Sequence, residues 1–254
     1  MNLLNKKLSI HDLSKTFLVD GKPLEILSSI NLHVAPGEFV SIIGPSGCGK
    51  STLFHILSGI ESETDGKIFF DGKRANFRRG KSGYMHQDAL LLPWRSVLGN
   101  LLLGTDVLGI SRKESRGKAL ALLETFSLLQ FRDVYPSVLS GGMKQRVALL
   151  RTLLFHEDFL LLDEPFGALD ALTRLSCQMW LLDVWQKRKS SILFITHDIS
   201  EAILLSNRIY VMSSRPGHIL KELAVGLPYP RKQNFLTSRK AANLENKLYS
   251  LLAS

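Results

Sequence analysis

Hydrophobic residues along this chain follow two patterns, short continuous runs and helical spacing. Short apolar runs rich in β-branched residues or leucine predict buried strands at residues 38–43, 158–162, 191–195 and 208–212. Stretches with apolar residues at helical spacing lie between them, and the first of these is at 52–57. Strands that alternate with helices build a mostly parallel sheet. The pattern therefore predicts an α/β fold.

Two turn patterns predict antiparallel structure in the first third of the chain. Asp-Gly pairs at 20–21 and 71–72 follow the apolar runs 17–19 and 67–70, and a further run at 24–27 follows the first pair. Asp-Gly beside apolar runs is typical of β-hairpin turns. We therefore expect two hairpins, and with them an antiparallel β subdomain.

The leucine-rich region from about residue 88 to 156 differs from the rest and predicts an inserted helical subdomain. Ser111 and Glu114 have the spacing of a capping box ahead of a helical pattern at 119–129. Residues 238–252 predict a small amphipathic helix.

Composition excludes disordered and membrane-spanning proteins. The chain has 254 residues, 45% of them hydrophobic, which is enough to bury a sizeable core. Its apolar runs fall far short of the roughly 18–20 residues of a spanning helix, and its N-terminus lacks the apolar stretch of a signal peptide. We therefore expect a soluble intracellular protein in which Cys48 and Cys177 are free thiols.

Charge favours an anionic partner, because 32 Lys and Arg against 23 Asp and Glu give a formal net charge of +9. Nucleic acid, phospholipid headgroups and phosphorylated ligands are the candidates. The densest basic stretch, 73–81, holds five basic residues and no acid. An ordinary solvated face near a turn is the alternative interpretation of this stretch. The sequence shows no aromatic-interleaved basic stripe and no zinc-finger spacing, so we do not expect nucleic acid as a partner.

A glycine-rich stretch after the first buried run predicts a nucleotide site. Residues 44–51 read GPSGCGKS and fit the phosphate-loop pattern G-x-x-x-x-G-K-[ST]. Glycines let backbone N–H groups turn toward a triphosphate, and the following helix adds partial positive charge at its N-terminus. Lys50 can bridge the β- and γ-phosphates, and the Ser51 hydroxyl can bind Mg²⁺. Within the loop, Cys48 is expected to have a reactive thiol.

Two adjacent carboxylates follow another buried run. Residues 159–162, Phe-Leu-Leu-Leu, lead directly into Asp163 and Glu164. A buried parallel strand presents such carboxylates at its carboxyl end, beside the phosphate loop. Asp163 suits the Mg²⁺ shell, and Glu164 suits general-base activation of an attacking water.

The segment 139–146, Leu-Ser-Gly-Gly-Met-Lys-Gln-Arg, resembles the signature motif of ABC-transporter ATPases. It precedes a helical pattern at 147–154, and Ser140 with two glycines can make a second anion-binding cap there. In that family two subunits pack head-to-tail, so that each signature covers the nucleotide on the partner's phosphate loop. The resemblance therefore implies the P-loop NTPase fold, ATP hydrolysis and a homodimer with composite sites.

Four further residues match landmarks of the family in chain order. Gln87 matches the Q-loop glutamine that contacts Mg²⁺ and water, and Asp170 matches the D-loop residue at the dimer seam. His197 matches the switch histidine that contacts the γ-phosphate, and Phe17 takes the place of the aromatic residue that stacks on adenine. The resemblance implies three catalytic residues, Glu164, His197 and Gln87, and three metal ligands, Ser51, Gln87 and Asp163. The nucleotide-binding set is Phe17, Gly44, Pro45, Ser46, Gly47, Cys48, Gly49, Lys50, Ser51, Thr52, Ser140, Gly141, Gly142 and Asp170.

The resemblance also implies one ABC ATPase domain over residues 1–254. Residues 7–87 and 157–230 are expected to form the RecA-like and β core. The helical subdomain takes about 88–156, and 231–254 is a short C-terminal helical tail.

Three stretches resemble the ATPases of nitrate/sulfonate/taurine-type importers, a group that includes thiamine-precursor uptake systems. They are Leu-Pro-Trp-Arg at 92–95, Glu-Pro-Phe-Gly-Ala-Leu-Asp at 164–170 and Ser-Arg-Pro-Gly at 214–217. The resemblance implies a peripheral subunit on the cytoplasmic face of the inner membrane, bound to a separate permease and served indirectly by a solute-binding protein. ATP and Mg²⁺ are the implied cofactors.

Two other classes compete with the importer interpretation. A soluble ABC-type ATPase acting on nucleic acid or ribosomes would carry paired cassettes, long coiled coils or zinc hooks, for which 254 residues leave no room. A P-loop kinase or nucleotide-switch protein would lack the 139–142 stretch and the histidine that stands 34 residues after Asp163.

Overall fold

The computed structural model describes residues 6–75, 80–155, 158–231 and 238–253. The strands in these ranges are β1 (Leu8–Val19), β2 (Lys22–Val34), β3 (Phe39–Ile43), β4 (Asp65–Phe70), β5 (Lys73–Arg74), β6 (Gly83–Met85), β7 (Phe159–Asp163), β8 (Ser191–Ile195), β9 (Arg208–Met212) and β10 (Ile219–Ala224). The helices are α1 (Lys50–Ser58), α2 (Val97–Leu101), α3 (Leu103–Leu108), α4 (Arg112–Thr125), α5 (Gly141–Phe155), α6 (Ala171–Arg188), α7 (Ile199–Leu205) and α8 (Arg239–Leu252).

The larger sheet contains the strands that the continuous apolar runs predict. Across the described residues its order is β10-β9-β3-β8-β7-β6. The neighbours from β9 to β6 are parallel, and β10 pairs antiparallel with β9. Every residue of β3, β7, β8 and β9 is buried, because both faces of the sheet are covered. The predicted mostly parallel α/β core is confirmed.

The smaller sheet is antiparallel, with the order β2-β1-β4-β5 among the described strands. Strands β1 and β2 turn at 20–21, and β4 and β5 turn at 71–72, so both predicted hairpins are confirmed. One apolar cluster joins Leu13 and Ile30 of this sheet to Phe54 of α1 and to Leu161 and Leu193 of the larger sheet. Helix α1 and the turn that precedes it are therefore held between the two sheets.

Helices α2, α4 and α5 pack on the opposite face of the larger sheet. A second apolar cluster joins Leu101 of α2, Leu123 of α4 and Leu149 of α5 to Leu160 and Phe194 of the sheet. Full burial of one such side chain contributes roughly 1.5–3 kcal/mol. The helical part therefore owes its stability to the sheet and shares one core with it.

Two details of the helical region contradict the sequence-based expectation. Helix α4 ends at Thr125 and not at 129, because Ser127 takes a left-handed φ of 54°. Ser111 precedes α4 but makes no side-chain capping hydrogen bond. Glu114, the expected capping partner, instead pairs with Lys118 at 2.9 Å.

The helix after the signature stretch also begins earlier than expected, at Gly141 and not at 147. The Ser140 hydroxyl accepts a hydrogen bond from the Met143 N–H at 3.3 Å and so starts the first turn. Residues 141–146 are glycine or mainly polar, so the spacing of apolar residues does not indicate that the helix begins here.

The C-terminal helix α8 confirms the predicted amphipathic helix and packs its apolar face against α7. Just before residues 232–237, which lie outside the described ranges, Arg231 is 2% exposed. Its guanidinium donates to the carbonyls of Ile203, Leu204 and Ser206 at the C-terminal end of α7. These bonds satisfy carbonyls that the helix leaves unpaired.

Three further expectations concern the chain as a whole. Cys48 and Cys177 are both buried free thiols. Among the described helices, none has the length and apolar character needed to cross a membrane. Residues 76–79, inside the basic stretch, lie outside the described ranges.

Candidate active site

Residues 44–49 form the turn between β3 and α1, at the place that the phosphate-loop pattern predicts. Gly47 and Gly49 have φ angles of 75° and 105°, in the left-handed region that favours glycine. A Cβ on Gly49 would lie 2.7 Å from Leu27 Cδ2. The turn therefore requires glycine for its backbone conformation and for its close packing on β2.

Lys50, the first residue of α1, is folded back over this turn. Its Nζ donates hydrogen bonds to the carbonyls of Gly44 and Pro45 at 2.8 and 2.9 Å, and the residue is 7% exposed. The ammonium charge is thereby held within the turn, where a phosphate would meet it. Cys48 is only 1% exposed. The expectation of a reactive thiol is therefore wrong, because the loop turns the thiol inward, out of reach of a reagent in solvent.

A cavity of about 270 Å³ opens over the turn. It brings together an aromatic side chain, loop residues, an amide and a carboxylate from distant parts of the chain. The lining residues are Phe17, Ile26, Ser46, Gly47, Gly49, Lys50, Ser51, Thr52, Gln87, Glu164 and Arg215. Phe17 is half-buried, and Lys15 Nζ lies 4.4 Å from its ring centroid in a cation–π contact.

Asp163 ends β7, directly before Glu164 of the cavity lining, and is 1% exposed. Neither of its carboxylate oxygens has a hydrogen-bond partner among the described residues. Burial raises the pKa of Asp163 and the charge of Glu164 raises it further, whereas the nearby Ser51 hydroxyl, and to a smaller extent the Lys50 ammonium, oppose the rise. A buried carboxylate beside the Ser51 hydroxyl is a donor set that fits Mg²⁺, and the Gln87 amide lines the same cavity as Ser51.

Glu164 follows directly and faces the cavity. Its φ is 45°, rare for a residue with a side chain, and its N–H donates to the Ile195 carbonyl at 2.9 Å. Its Oε2 lies 3.1 Å from Nδ1 of the exposed His197, which follows β8. The ends of two adjacent parallel strands thus place a carboxylate and an imidazole side by side, and of the two only Glu164 lines this cavity.

A second cavity of about 440 Å³ adjoins the first and shares Gln87 and Glu164 with it. It reaches the start of α5, and its other lining residues are Asp88, Ala89, Gly141, Lys144, Gln145, Gly167, Ala168 and His197. Ser140, Gly141 and Gly142 do not line the 270 Å³ cavity among the described residues. The structure therefore separates the signature residues from the phosphate loop of the same chain.

Asp170 also lies apart from the phosphate loop. Its carboxylate caps α6 by accepting a hydrogen bond from the Thr173 N–H at 3.1 Å. Hydrogen bonds from Thr173 lower the pKa of Asp170. Within the described chain it lines neither of the two cavities.

Two buried polar residues near the site make contacts that no motif predicts, although Gln145 itself lies in the signature stretch 139–146. Gln145 of α5 donates its amide to the carbonyls of Gln87 and Glu164 at 3.3 and 3.2 Å. Glu201 of α7 accepts hydrogen bonds from Gln178 at 2.9 Å and from Thr196 at 2.6 Å. Both side chains form hydrogen bonds to other elements of the fold, and residue spacing in the sequence cannot reveal such contacts.

A third unpredicted contact involves Arg215, which donates to the carbonyl of Gly47 in the phosphate loop. The sequence does single out the stretch 214–217, but only through a resemblance that assigns it no contact.

A turn that bears a lysine leads into a helix here, and a buried strand presents carboxylates beside that turn. This is the arrangement of a P-loop nucleoside triphosphatase. Comparison with known proteins identifies the family. The family profile described as ABC transporter matches residues 27–167. This chain belongs to that family, and it is an ATP-binding ATPase.

Its relatives include ATP-binding proteins of importers. An aliphatic sulfonates import ATP-binding protein of Bacillus cereus is 44% identical over 226 residues, 89% of this chain and 89% of the relative. A nitrate import ATP-binding protein of Synechocystis sp. is 44% identical over 221 residues, 87% of this chain and 83% of the relative.

Solved structures show the same fold. The dimeric structure of MJ0796, a bacterial ABC transporter cassette, matches with a TM-score of 0.79 and 31% identity. A post-hydrolysis dimer of the same cassette, bound to ADP and Pi, matches with a TM-score of 0.78 and 29% identity. Each match covers 86% of this chain and 98% of the solved chain.

Proposed function

We propose that this chain is the ATP-hydrolysing subunit of an importer for a small anionic solute of the sulfonate or nitrate kind. It works as a head-to-tail homodimer, on the cytoplasmic face of the inner membrane, with separate permease subunits and a solute-binding protein upstream. The relatives named for sulfonate and nitrate import support this proposal, because each covers more than four fifths of the chain at 44% identity.

The separation of the signature residues from the phosphate loop is the observation that carries the dimer. Ser140 and Gly141 are exposed at the N-terminus of the 15-residue helix α5, where backbone N–H groups and the helix dipole favour an anion. They are absent from the lining of the 270 Å³ cavity, which holds Lys50 and Ser51. A second copy facing the first head-to-tail brings each signature to the other copy's phosphates. Asp170, exposed at the start of α6, then lies at the seam.

Within the site, each side chain takes the role for which its position suits it. Phe17 stacks on the adenine, and the loop residues 44–52 hold the phosphates. Glu164 accepts a proton from the attacking water, and His197 orients that carboxylate through the 3.1 Å contact and reaches the γ-phosphate. Gln87 lies at the junction of the two cavities and positions the water.

Ser51, Gln87 and Asp163 are the residues that would hold Mg²⁺. When bound, the ion would supply charge neutralisation at the β- and γ-phosphate oxygens. Asp163 contributes a carboxylate that no other group among the described residues satisfies.

The permease docks, on this proposal, on the exposed apolar surface of the helical part. Leu90 and Trp94, in the segment after Gln87, are 59% and 71% exposed, and Tyr135 and Val138 are 54% and 66% exposed. Exposed aromatic and aliphatic side chains of this size are typical of a protein–protein contact.

Co-expression with the candidate permease tests the function. We expect the wild-type chain to copurify with the permease in detergent, and Trp94→Ala to copurify poorly while its ATP binding is unchanged. Leu18→Ala, at an exposed apolar residue near the β1–β2 turn, is the matched control. In proteoliposomes, ATP hydrolysis should rise when the solute-binding protein carries its sulfonate or nitrate.

A different outcome would favour the alternative, a soluble ABC-type ATPase. ATPase activity that is stimulated by RNA or ribosomes, with no retention by any permease, would contradict the importer proposal and leave the ATPase site intact.

A further inference from the structure

The connection between β9 and β10, residues 213–218, lies directly against the phosphate loop, and we call it the buttress loop. The Gly217 N–H donates to the Ile26 carbonyl at 2.8 Å, and the Ser28 N–H donates to the Gly217 carbonyl at 3.0 Å. A Cβ on Gly217 would overlap the carbonyl oxygen of Cys48. The buttress loop is thus joined to β2 and touches the backbone of the phosphate loop.

Arg215 extends this contact to the preceding peptide. Its Nε and Nη2 both donate to the Gly47 carbonyl, at 3.2 and 2.9 Å. The side chain lines the 270 Å³ cavity together with Phe17 and Thr52. Successive carbonyls of the phosphate loop, those of Gly47 and Cys48, therefore both face the buttress loop.

Holding the Gly47 carbonyl also determines where the Cys48 N–H points. The two groups belong to one planar trans peptide and point in opposite directions. The Cys48 N–H lies 3.4 Å from the Pro45 carbonyl oxygen, a long hydrogen bond that a phosphate oxygen can replace. Because Gly47 is a glycine at φ 75°, its backbone permits other orientations of this peptide.

We propose that Arg215 is a positioning residue of the nucleotide site, which keeps the Gly47–Cys48 peptide turned so that its N–H faces the phosphates of the bound nucleotide. The inference rests on the phosphate-binding role proposed for the loop. Arg215 acts through the loop carbonyl, and its hydrogen-bond donors matter more than its charge.

A pair of variants of equal length tests this role. Arg215→Gln places an amide nitrogen at the position of Nε and keeps one donor without the charge, whereas Arg215→Met fills the same space with no donor. Calorimetric titration of the full chain with MgADP should show Kd about 5–10-fold higher for the Met variant, since roughly one hydrogen bond is lost. The Gln variant should stay within about twofold of wild type on the same reasoning.

Steady-state ATPase assays provide a readout that a merely structural role would not produce. The Met variant should raise KM for ATP with kcat unchanged, because the loop holds the ground state and the transition state alike. The melting temperature without nucleotide should not change, whereas its increase on adding MgADP should be smaller than in wild type.

Two controls separate the possible failures. Lys221→Ala removes an exposed charge on β10 and should bind MgADP as wild type does. Lys50→Ala must weaken MgADP binding; if it does not, the phosphate site itself is wrong. If Lys50→Ala weakens binding and Arg215→Met does not, only the role of Arg215 is refuted. Equal loss in the Gln and Met variants, with normal binding by Arg215→Lys, would also refute it, because charge alone would then explain the effect.

Discussion

Asp163 is a buried carboxylate whose surroundings disfavour its charged form. This unfavourable burial should lower the free energy of unfolding by a measurable amount. Its pKa is raised by burial in the folded chain. Above that pKa the folded chain therefore carries a penalty that the unfolded chain does not. The penalty begins to shrink as pH falls below the raised pKa and is gone only below the ordinary pKa of the unfolded carboxyl. A bound divalent cation would offset the same penalty.

Asp163→Asn should consequently stabilise the nucleotide-free protein near neutral pH. Removing an unpartnered buried charge is worth about 1–3 kcal/mol, and each kcal/mol raises Tm by roughly 2–4 °C in a chain of this size. The difference from wild type should shrink as pH falls. Calorimetry across pH measures it, with the exposed Asp158→Asn as control. A lower Tm for Asp163→Asn at neutral pH would show that the carboxylate is satisfied in solution.

Glu164 carries the second prediction at this scale. Glu164→Gln should still bind ATP but hydrolyse it about 10²–10⁴-fold more slowly, because the amide cannot accept a proton from water. ATP turnover in the assembled transporter measures the effect. Glu124→Gln, at an exposed position of α4, is the matched control. Activity within about threefold of wild type would rule out a general-base role, given the usual size of that contribution.

At the scale of elements, helix α7 is joined to the catalytic edge by Glu201. This buried carboxylate accepts hydrogen bonds from Gln178 on α6 and from Thr196, the residue before His197. Burial also raises the pKa of Glu201, and the hydrogen bond from Thr196 opposes that rise. The position of His197 thus depends on a contact between α6 and α7.

Glu201→Ala should therefore lower both stability and turnover. Leaving the Gln178 amide without its partner costs about 1–3 kcal/mol, and kcat should fall with KM for ATP unchanged because the phosphate loop is not touched. Chemical denaturation and ATPase assays measure the two effects. Glu124→Ala serves as the surface control, and an unchanged kcat would show that His197 is held by other contacts.

The elements differ in how far the sequence could predict them. Strands β3, β7, β8 and β9 are buried on both faces, so continuous apolar runs reveal them. Helix α2 has five residues and no such pattern, and it is held by the Asn100 amide, which bonds to the carbonyls of Leu92, Arg95 and Ser96. Short elements of this kind depend on tertiary hydrogen bonds that the local sequence does not encode.

The site divides in the same way. Lys50 could be predicted because the phosphate-loop pattern requires a lysine at that place, and Asp163 and Glu164 because they directly follow a buried apolar run. Arg215 reaches a carbonyl 168 positions away along the chain, and Gln145 reaches one 58 positions away. Such contacts follow from the order of strands in the sheet, so only the folded structure shows them.

At the scale of the whole molecule, the dimer makes the sharpest prediction. Ser140→Arg should leave MgATP binding to the monomer intact and abolish hydrolysis, because a long side chain there holds two copies apart. In a Glu164→Gln background we expect ATP to produce a dimer on size-exclusion chromatography, and Ser140→Arg should prevent it. Ser250→Arg, at an exposed position of α8, is the matched control.

Lys50→Ala should behave differently, because it removes a phosphate contact and weakens binding in the monomer itself. Mixing it with Ser140→Arg gives a heterodimer with one intact face, and recovered hydrolysis would establish a contact between subunits. If Ser140→Arg loses monomer ATP affinity as severely as Lys50→Ala does, the trans arrangement is wrong.

The amide of Gln145 links three segments that leave different parts of the fold. Its two hydrogen bonds, at 3.3 and 3.2 Å, are already near the upper limit of useful length. A shift of α5 by about 1 Å relative to the strand ends would lengthen both beyond hydrogen-bond range. One side chain of α5 thus contacts the backbone at both Gln87 and Glu164. A displacement of α5 would therefore act on the carbonyls of Gln87 and Glu164 together, and through them on both cavities that these two residues line.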